Sequence, residues 1–167
     1  MRVDQARECL VCDYCRHQHF PEPNADGVRV LGVPAAVCCP LCRTPLVVAS
    51  AGGEPLLYCE RCRGMLIEVR VFVELVQELR ARSARAAVPP PPPVDQAELT
   101  RPAACPHCGR KMDTHPYAGP GNVVIDNCPR CGVNWLDHSE LRRIAEAPDS
   151  AINPDGWTAP EGWTPPD

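Results

Sequence analysis

The sequence predicts a small, metal-stabilised α+β fold made of two tandem units, each a β-hairpin followed by a helix. Two observations lead to this fold class. The 167 residues contain 12 Cys and 21 Pro but only three Trp, three Tyr and two Phe, and most of the cysteines stand in Cys-x-x-Cys pairs. One large apolar core is excluded, because the prolines interrupt the apolar runs and large side chains are few. Something besides apolar burial must therefore stabilise the chain.

The cysteines point to metal rather than to disulfides. The chain has no run of roughly 18 apolar residues, and its start, MRVDQARECL, lacks the apolar stretch of a signal peptide. We therefore expect a cytoplasmic protein without a membrane span, in a compartment where disulfides are kept reduced. The net charge of −4 gives no global positive field for nucleic acid or anionic lipid, so any such binding must be local.

Five cysteine pairs have the spacing of zinc knuckles. A two-residue gap lets the backbone aim both sulfurs at one point, and two knuckles supply the four thiolates of a tetrahedral zinc site. Zinc is favoured over the iron of a rubredoxin-like redox centre, because the sequence lacks the dense aromatic shell that we expect around such iron. The pairs are Cys12/Cys15, Cys39/Cys42, Cys59/Cys62, Cys105/Cys108 and Cys128/Cys131, with Cys9 and Cys38 left over.

An internal repeat decides which knuckles pair. Residues 39–76 and 105–145 share one plan of knuckle, β-prone stretch, glycine turn, β-prone stretch, knuckle and helix. A shift of 69 places superimposes Leu66 on Trp135 together with the second knuckles. The repeat predicts one site from Cys39, Cys42, Cys59 and Cys62, and another from Cys105, Cys108, Cys128 and Cys131. The competing arrangement pairs Cys12/Cys15 with Cys39/Cys42.

The hairpins are predicted over 46–49 with 56–58, and over 111–117 with 123–126. At the second helix Asp137 is the expected cap, with Glu140 making the reciprocal bond and Leu136 stapling to Leu141. At the first helix Glu68 is a poorer cap, and Glu78 is placed to pair with Arg82. An apolar stripe on this helix should pack on its own hairpin or on the sister unit, with a partner groove as the alternative; it comprises Val69, Phe72, Val73, Val76 and Leu79.

The stretch CPRCGVNWLDHSELRRI resembles the bacterial TFIIB-type zinc-ribbon family. The resemblance covers residues 105–145 closely, while residues 39–76 are a degenerate copy with Leu66 at the Trp position and Arg63 at the first Gly position. Val133 replaces the second glycine that is common in the family. The resemblance implies tandem zinc ribbons with structural zinc, but a fold alone implies little about function.

The N-terminal segment offers a possible third metal site. Cys12 and Cys15 would supply two thiolates, His19 or His17 a third ligand, and Cys38 a fourth. Such a site would bring the zinc content to three ions per chain instead of two. The alternative is that Cys9 and Cys38 are free thiols and both histidines are solvated.

The domain organisation follows from these features. We expect an N-terminal knuckle at 1–38, the first ribbon with its helix at 39–87, a proline-rich linker at 88–104, the second ribbon at 105–147 and a tail at 148–167. The run VPPPPPV should form a polyproline II rod that spaces the ribbons, or else a docking segment. In the tail, Trp157 and Trp163 either fold back onto a ribbon or anchor a partner.

The predicted function is non-enzymatic, because four thiolates close a zinc site and leave no open position for catalysis. His107 and His138 are read as surface residues. We expect a protein-interaction module in a transcription-related or other assembly, with a protein partner and no small-molecule substrate. The alternative is local nucleic-acid binding through Arg80, Arg82 and Arg85 at the end of the first helix; at that position arginines also complement the helix dipole.

Overall fold

The computed structural model describes residues 1–4, 7–82, 91–119 and 121–147. These form a three-stranded sheet, a seven-stranded sheet and three helices. The small sheet contains β1 (Arg2–Asp4), β2 (Cys9–Val11) and β3 (Gln18–His19). The large sheet contains β4 (Val28–Cys38), β5 (Pro45–Ala51), β6 (Glu54–Tyr58), β7 (Met65–Glu68), β8 (Asp113–Pro116), β9 (Val124–Cys128) and β10 (Val133–Leu136), and the helices are α1 (Val69–Arg82), α2 (Gln96–Thr100) and α3 (Glu140–Glu146).

Each repeat unit is a three-stranded meander rather than a hairpin alone. The predicted hairpins are present as β5 with β6 and β8 with β9. A third strand, β7 or β10, then follows each second knuckle before the helix begins. The sequence interpretation missed these strands because they are only four residues long and are buried on both faces, so that neither shows a full apolar–polar alternation. Met65, Leu66 and Ile67 are all buried.

The two ribbons are joined directly by main-chain pairing. The large sheet has the strand order β4-β5-β6-β7-β10-β9-β8, so the last strands of the two units, β7 and β10, are antiparallel neighbours. Leu66 lies opposite Trp135 in this pairing. The expectation that the proline-rich linker holds the ribbons apart is therefore corrected: the linker connects two halves of one sheet.

The sheet separates two apolar layers. Alternate side chains of a strand point to opposite faces, so Met65 and Ile67 join the layer under the helices, whereas Leu66 and Trp135 join the layer beside the cysteines. We call these the helix-side core and the metal-side core. The large sheet therefore has α1 and α3 on one face and the four knuckles of the two ribbons on the other.

Helices α1 and α3 pack on each other over the helix-side core. Phe72 and Val76 of the predicted stripe are buried there and Leu79 is partly buried, while Val73 is 49% exposed. Phe72, Val76 and, in part, Leu79 are thus used for packing against the sheet and the sister unit. The predicted ion pair between Glu78 and Arg82 is present.

The start of α3 differs in detail from the expected cap. The Glu140 carboxylate accepts the Asp137 backbone N–H at 2.6 Å, as predicted, and Leu136 and Leu141 are both buried. The Asp137 side chain does not cap the helix, because its two oxygens instead accept from Trp135 Nε1 at 2.9 Å and from Arg101 at 2.6 Å. Ser139 occupies the cap position without a side-chain hydrogen bond.

The edge strand β4 and the N-terminal segment extend the first ribbon. β4 pairs with β5, and the register of this pairing shifts on both sides of Pro34. The proline is tolerated because β4 is an edge strand. Before β4, the buried Asp26 carboxylate contacts His138 Nδ1 of the second ribbon at 2.9 Å. None of the helices among the described residues has the length and apolarity needed to cross a membrane.

Candidate metal centres

The four knuckles of the ribbons share one backbone geometry. In each, the residue four places after the first cysteine has a left-handed conformation: Arg43, Arg63, Gly109 and Gly132 have φ of 59°, 63°, 69° and 64°. The N–H of this residue donates back to the carbonyl of the first cysteine, at 2.8–3.1 Å. Glycine adopts this conformation without cost, which explains the Cys-Gly sequence of the second ribbon. The first ribbon accepts arginine at the same turn.

The first cluster brings together Cys39, Cys42, Cys59 and Cys62, with all Sγ atoms within 4.8 Å of one another. The Sγ atoms of Cys39 and Cys62 are 3.5 Å apart, and those of Cys42 and Cys59 are 3.3 Å apart. Four sulfurs at about 2.3 Å from a zinc ion would lie roughly 3.8 Å apart in a tetrahedron. The cluster is slightly tighter than that and wider than any disulfide.

The second cluster brings together Cys105, Cys108, Cys128 and Cys131 under the same limit of 4.8 Å. Its Cys108 and Cys128 sulfurs are 3.7 Å apart, close to the zinc tetrahedron. The repeat therefore predicted the ligand sets of both clusters, and no cysteine of the chain forms a disulfide. Pairing of Cys12/Cys15 with Cys39/Cys42 does not occur.

The electrostatics of the first cluster fit a metal ion. Burial raises the pKa of the Cys39 thiol to about 11, which opposes ionisation in the absence of a cation. For Cys42 burial acts in the same direction, but hydrogen bonds from Thr44 and the neighbouring thiols outweigh it and lower the pKa to about 6. The backbone N–H groups of Leu41 and Cys42 point at the Cys39 sulfur at 3.4 Å. A divalent cation would supply the missing charge and displace the remaining protons.

The second cluster has the same pattern. A backbone hydrogen bond from Arg110 lowers the pKa of Cys108 to about 7, while shared hydrogen bonds with the other thiols, led by Cys108, raise that of Cys131 to about 12. Four soft sulfur donors in a closed tetrahedral arrangement suit zinc. The chain therefore contains two four-cysteine sites of the structural zinc type.

Both clusters lie against the metal-side core, so a single apolar layer packs against both metal centres. Leu46, Leu66, Met112 and Trp135 of this layer are buried. Trp135 contacts the other ribbon closely, since a Cβ added to Gly64 would lie 2.3 Å from the indole Cζ2. This explains why the family Trp is absent from the first ribbon: the equivalent Leu66 lies directly opposite Trp135, and the indole of Trp135 covers Gly64.

The predicted third site is not assembled. Among residues 1–4, 7–82, 91–119 and 121–147, no third group of three or more metal-ligating side chains comes together. Cys9 is buried, whereas Cys15, His19 and Cys38 are exposed. Cys38 lies at the end of β4, opposite Pro45 in the large sheet, while Cys12 and Cys15 follow β2 of the small sheet.

The predicted nucleic-acid residues are only partly described. Arg80 donates to the backbone oxygens of Ile144 and Ala147 at 2.7 and 2.9 Å, which connects α1 to the carboxyl end of α3. Arg82 is paired with Glu78. Arg85 lies outside the described residues, as do Trp157 and Trp163 of the tail.

His138 has a role that sequence reasoning missed. It was expected to be a surface residue, and its side chain is half exposed, but its Nδ1 contacts the buried Asp26. These residues are 112 positions apart, and no local pattern relates them. The contact connects the N-terminal segment to the second ribbon.

Comparison with known families supports the second metal centre directly. Residues 104–147 match the model of a family described as transcription factor zinc-finger, of the TFIIB zinc-ribbon type. This segment is similar to a TFIIB-type zinc ribbon, and the four-cysteine cluster at residues 39–62 is consistent with a second copy. No curated protein and no solved structure matches the chain.

Proposed function

We propose that this protein is a non-enzymatic, zinc-stabilised module that binds a protein partner within a transcription-related or other macromolecular assembly. The chemistry of the metal centres supports the first part. Four thiolates complete a zinc tetrahedron and leave no position for water or substrate, so the ions act on stability rather than on a reaction. The description of the matching family as a transcription factor zinc-finger supports the kind of assembly.

A cleft between the ribbons supports protein binding. It has a volume of about 370 Å³ and includes residues of β6, β7, β10 and α1. Its walls are apolar, and its rim carries both charges, a composition typical of protein interfaces. The apolar residues are Pro55, Leu56, Leu57, Leu66, Ile67, Val71 and Val133, and the polar ones are Glu54, Glu68, Arg70 and His107.

The composition of this rim favours an extended protein segment over nucleic acid. Two acidic side chains, Glu54 and Glu68, line the cleft together with one arginine, Arg70, and acidic groups repel a phosphate backbone. Elsewhere, Arg80 and Arg82 are engaged within the protein. The protein-interaction function is therefore the better supported one.

The test compares partner capture by the zinc-loaded full chain with capture by a variant in which two charges of the cleft are reversed. Glu68→Lys with Arg70→Glu reverses two exposed rim charges and should abolish capture of proteins retained by the unaltered chain. The matched control is Lys111→Glu with Asp113→Lys, which reverses two exposed charges outside the cleft and should leave capture intact. Both variants must retain their zinc.

Unchanged capture by the cleft variant would contradict the proposal. So would salt-dependent retention on DNA or RNA that disappears when Arg80, Arg82 and Arg85 are changed to Glu; that result would establish the nucleic-acid alternative.

A further inference from the structure

The N-terminal Cys12/Cys15 pair is folded as a complete metal knuckle. The Cys12 N–H donates to the His17 carbonyl at 2.9 Å, and the Arg16 N–H donates to the Cys12 carbonyl at 2.9 Å. Arg16 is left-handed with φ of 59°, the same value as Arg43 in the first ribbon. The turn therefore has the geometry that holds paired sulfurs in both zinc clusters.

The sulfur environment is also that of a ligand. Hydrogen bonding to the backbone N–H groups of Cys15 and Tyr14 lowers the pKa of the Cys12 thiol. Cys39 accepts equivalent bonds from the second and third residues after it. Such donors stabilise the thiolate form that binds metal.

The chain has no second knuckle left to complete this half-site. Eight cysteines are used in the two clusters. Apart from Cys12 and Cys15 themselves, two cysteines remain: Cys9 is 0% exposed and Cys38 belongs to the large sheet, and neither joins a group with Cys12 and Cys15. The residues that the structure does not describe contain neither Cys nor His.

The half-site is presented to the outside. Cys15 is exposed, and Tyr14, between the two cysteines, is 98% exposed. Met1 and Phe20 are also among the few large apolar side chains that are exposed in the described chain. Tyr14 therefore places a large apolar ring at the surface between the two cysteines, and exposed apolar side chains of this kind are suited to contact with another chain.

We propose that a second copy of this chain completes the site, so that one zinc ion is held between two protomers by Cys12 and Cys15 of each. Two identical knuckles supply the two-plus-two thiolates found in each ribbon, and a two-fold axis through the ion gives a closed, isologous contact. The four thiols release their protons to solvent as the ion binds. This inference goes beyond the partner cleft and does not depend on it.

The charges near the Cys12/Cys15 knuckle allow the knuckles of two copies to approach each other. Asp13 lies in the knuckle, but its carboxylate is within 3.5 Å of the amino terminus and 3.6 Å of Arg2 Nε. Its charge is therefore balanced within each copy. Zinc with four thiolates carries a net charge of −2, and Arg16 of both copies stands directly after the cysteines to offset it.

The experiment is native mass spectrometry of the full-length, zinc-loaded protein in a reducing buffer, with light scattering across a concentration series. We expect a dimer that carries one zinc ion more than the four that the clusters of two chains hold. Cys12→Ser with Cys15→Ser should give a monomer with two zinc ions. Cys38→Ser, which changes another exposed thiol, and His19→Ala should leave the dimer and its extra ion in place.

Four results would overturn the inference. A monomer with two zinc ions shows that the knuckle binds nothing, and a monomer with three shows a site within one chain. A dimer that persists in the Cys12→Ser, Cys15→Ser variant has another interface. A dimer that survives zinc chelation but dissociates at a higher concentration of reductant is held together by a disulfide and not by zinc. Because the double variant leaves both ribbons unaltered, loss of the dimer with normal zinc in the clusters separates this effect from unfolding.

Discussion

Leu66 and Trp135 hold equivalent positions in the two ribbons and lie directly opposite each other where β7 pairs with β10. On either side of them, Met65 pairs with Leu136 and Ile67 pairs with Asn134. The equivalence of the two ribbons relates Met65 to Asn134 and Ile67 to Leu136, so it converts each of these pairs into the other. A pseudo-two-fold axis therefore passes through the Leu66–Trp135 pair. The ribbons associate as two subunits of a symmetric dimer do, but within one chain.

The closeness of Trp135 to Gly64 gives a first prediction. Gly64→Ala places a Cβ 2.3 Å from the indole, and overpacking of this kind should lower the free energy of unfolding by about 1–3 kcal/mol. In a Trp135→Leu background the smaller side chain should remove most of this cost. Denaturant unfolding of the four chains in a double-mutant cycle measures the coupling. Equal effects of Gly64→Ala in both backgrounds would contradict the contact.

The adjacent residues Cys38 and Cys39 give a matched test of the metal centres. Cys39→Ser removes a ligand of the first cluster and should release that zinc and unfold the first ribbon, because structural zinc contributes on the order of 10 kcal/mol to such modules. Cys38→Ser changes an exposed thiol outside the cluster and should have little effect. Zinc content and circular dichroism report both outcomes. A folded Cys39→Ser chain with one zinc ion lost would show that the ribbon does not depend on its metal.

Removal of zinc from the unaltered chain should unfold both ribbons. The metal-side core includes cysteines of both clusters, so this layer loses its support once the thiols are protonated or repel each other. Circular dichroism during titration with a chelator measures the loss of strand and helix signal. Full secondary structure in a metal-free sample would contradict the structural role of the ions.

The Asp26–His138 contact should fasten the N-terminal segment to the second ribbon. His138→Ala leaves the buried Asp26 carboxylate without its hydrogen-bond partner at 2.9 Å, which should cost about 1–3 kcal/mol. Hydrogen exchange of residues 24–38 should accelerate, while the zinc content stays unchanged. His107→Ala is the control, since His107 is exposed and lies in the cleft. Equal protection in both variants would show that the contact is not stabilising.

Glu140 predicts a dependence of stability on pH. Burial is the main cause that raises its pKa from 4.5 to about 8, so between these values the folded chain binds a proton that the unfolded chain does not. The stabilising contribution is complete below pH 4.5 and is lost as the pH rises through about 8. The unfolding free energy should therefore fall relative to that of Glu140→Gln between pH 6 and 8, by at most about 1.4 kcal/mol per pH unit.

The unaltered chain and Glu140→Gln have the same thiols. The difference between their unfolding free energies therefore does not include the contribution of thiol ionisation. Parallel pH profiles for the unaltered chain and Glu140→Gln would mean that Glu140 is already ionised in the folded state, through the backbone N–H groups of Val124 and Asp137 that it accepts.

Local features of this fold could be predicted from the sequence, and long-range ones could not. The cysteine spacing fixed both ligand sets, because each knuckle is a short-range turn and the repeat relates the knuckles. The helix stripe likewise identified Phe72 and Val76 as core residues. The β7–β10 pairing was missed, since it joins segments about 70 positions apart and these four-residue strands, buried on both faces, lack the alternation of a half-exposed strand.

The third site shows a second limit of sequence reasoning. Spacing identified Cys12 and Cys15 as a knuckle, and the backbone bears this out. It did not indicate that Cys38 would be carried into the large sheet by β4. Cys38 ends β4 opposite Pro45, whereas Cys12 and Cys15 follow β2 of the small sheet, and the spacing of the cysteines along the chain does not show this separation.

Joining both ribbons in one polypeptide has a consequence for the axis through Leu66 and Trp135. Dilution cannot separate halves that are covalently linked, so their association does not vary with protein concentration. The halves are also free to differ: one contributes an indole and the other a leucine with a glycine beneath the ring. Two identical ribbons could not divide that space in this way, because each would bring the same side chain to its centre.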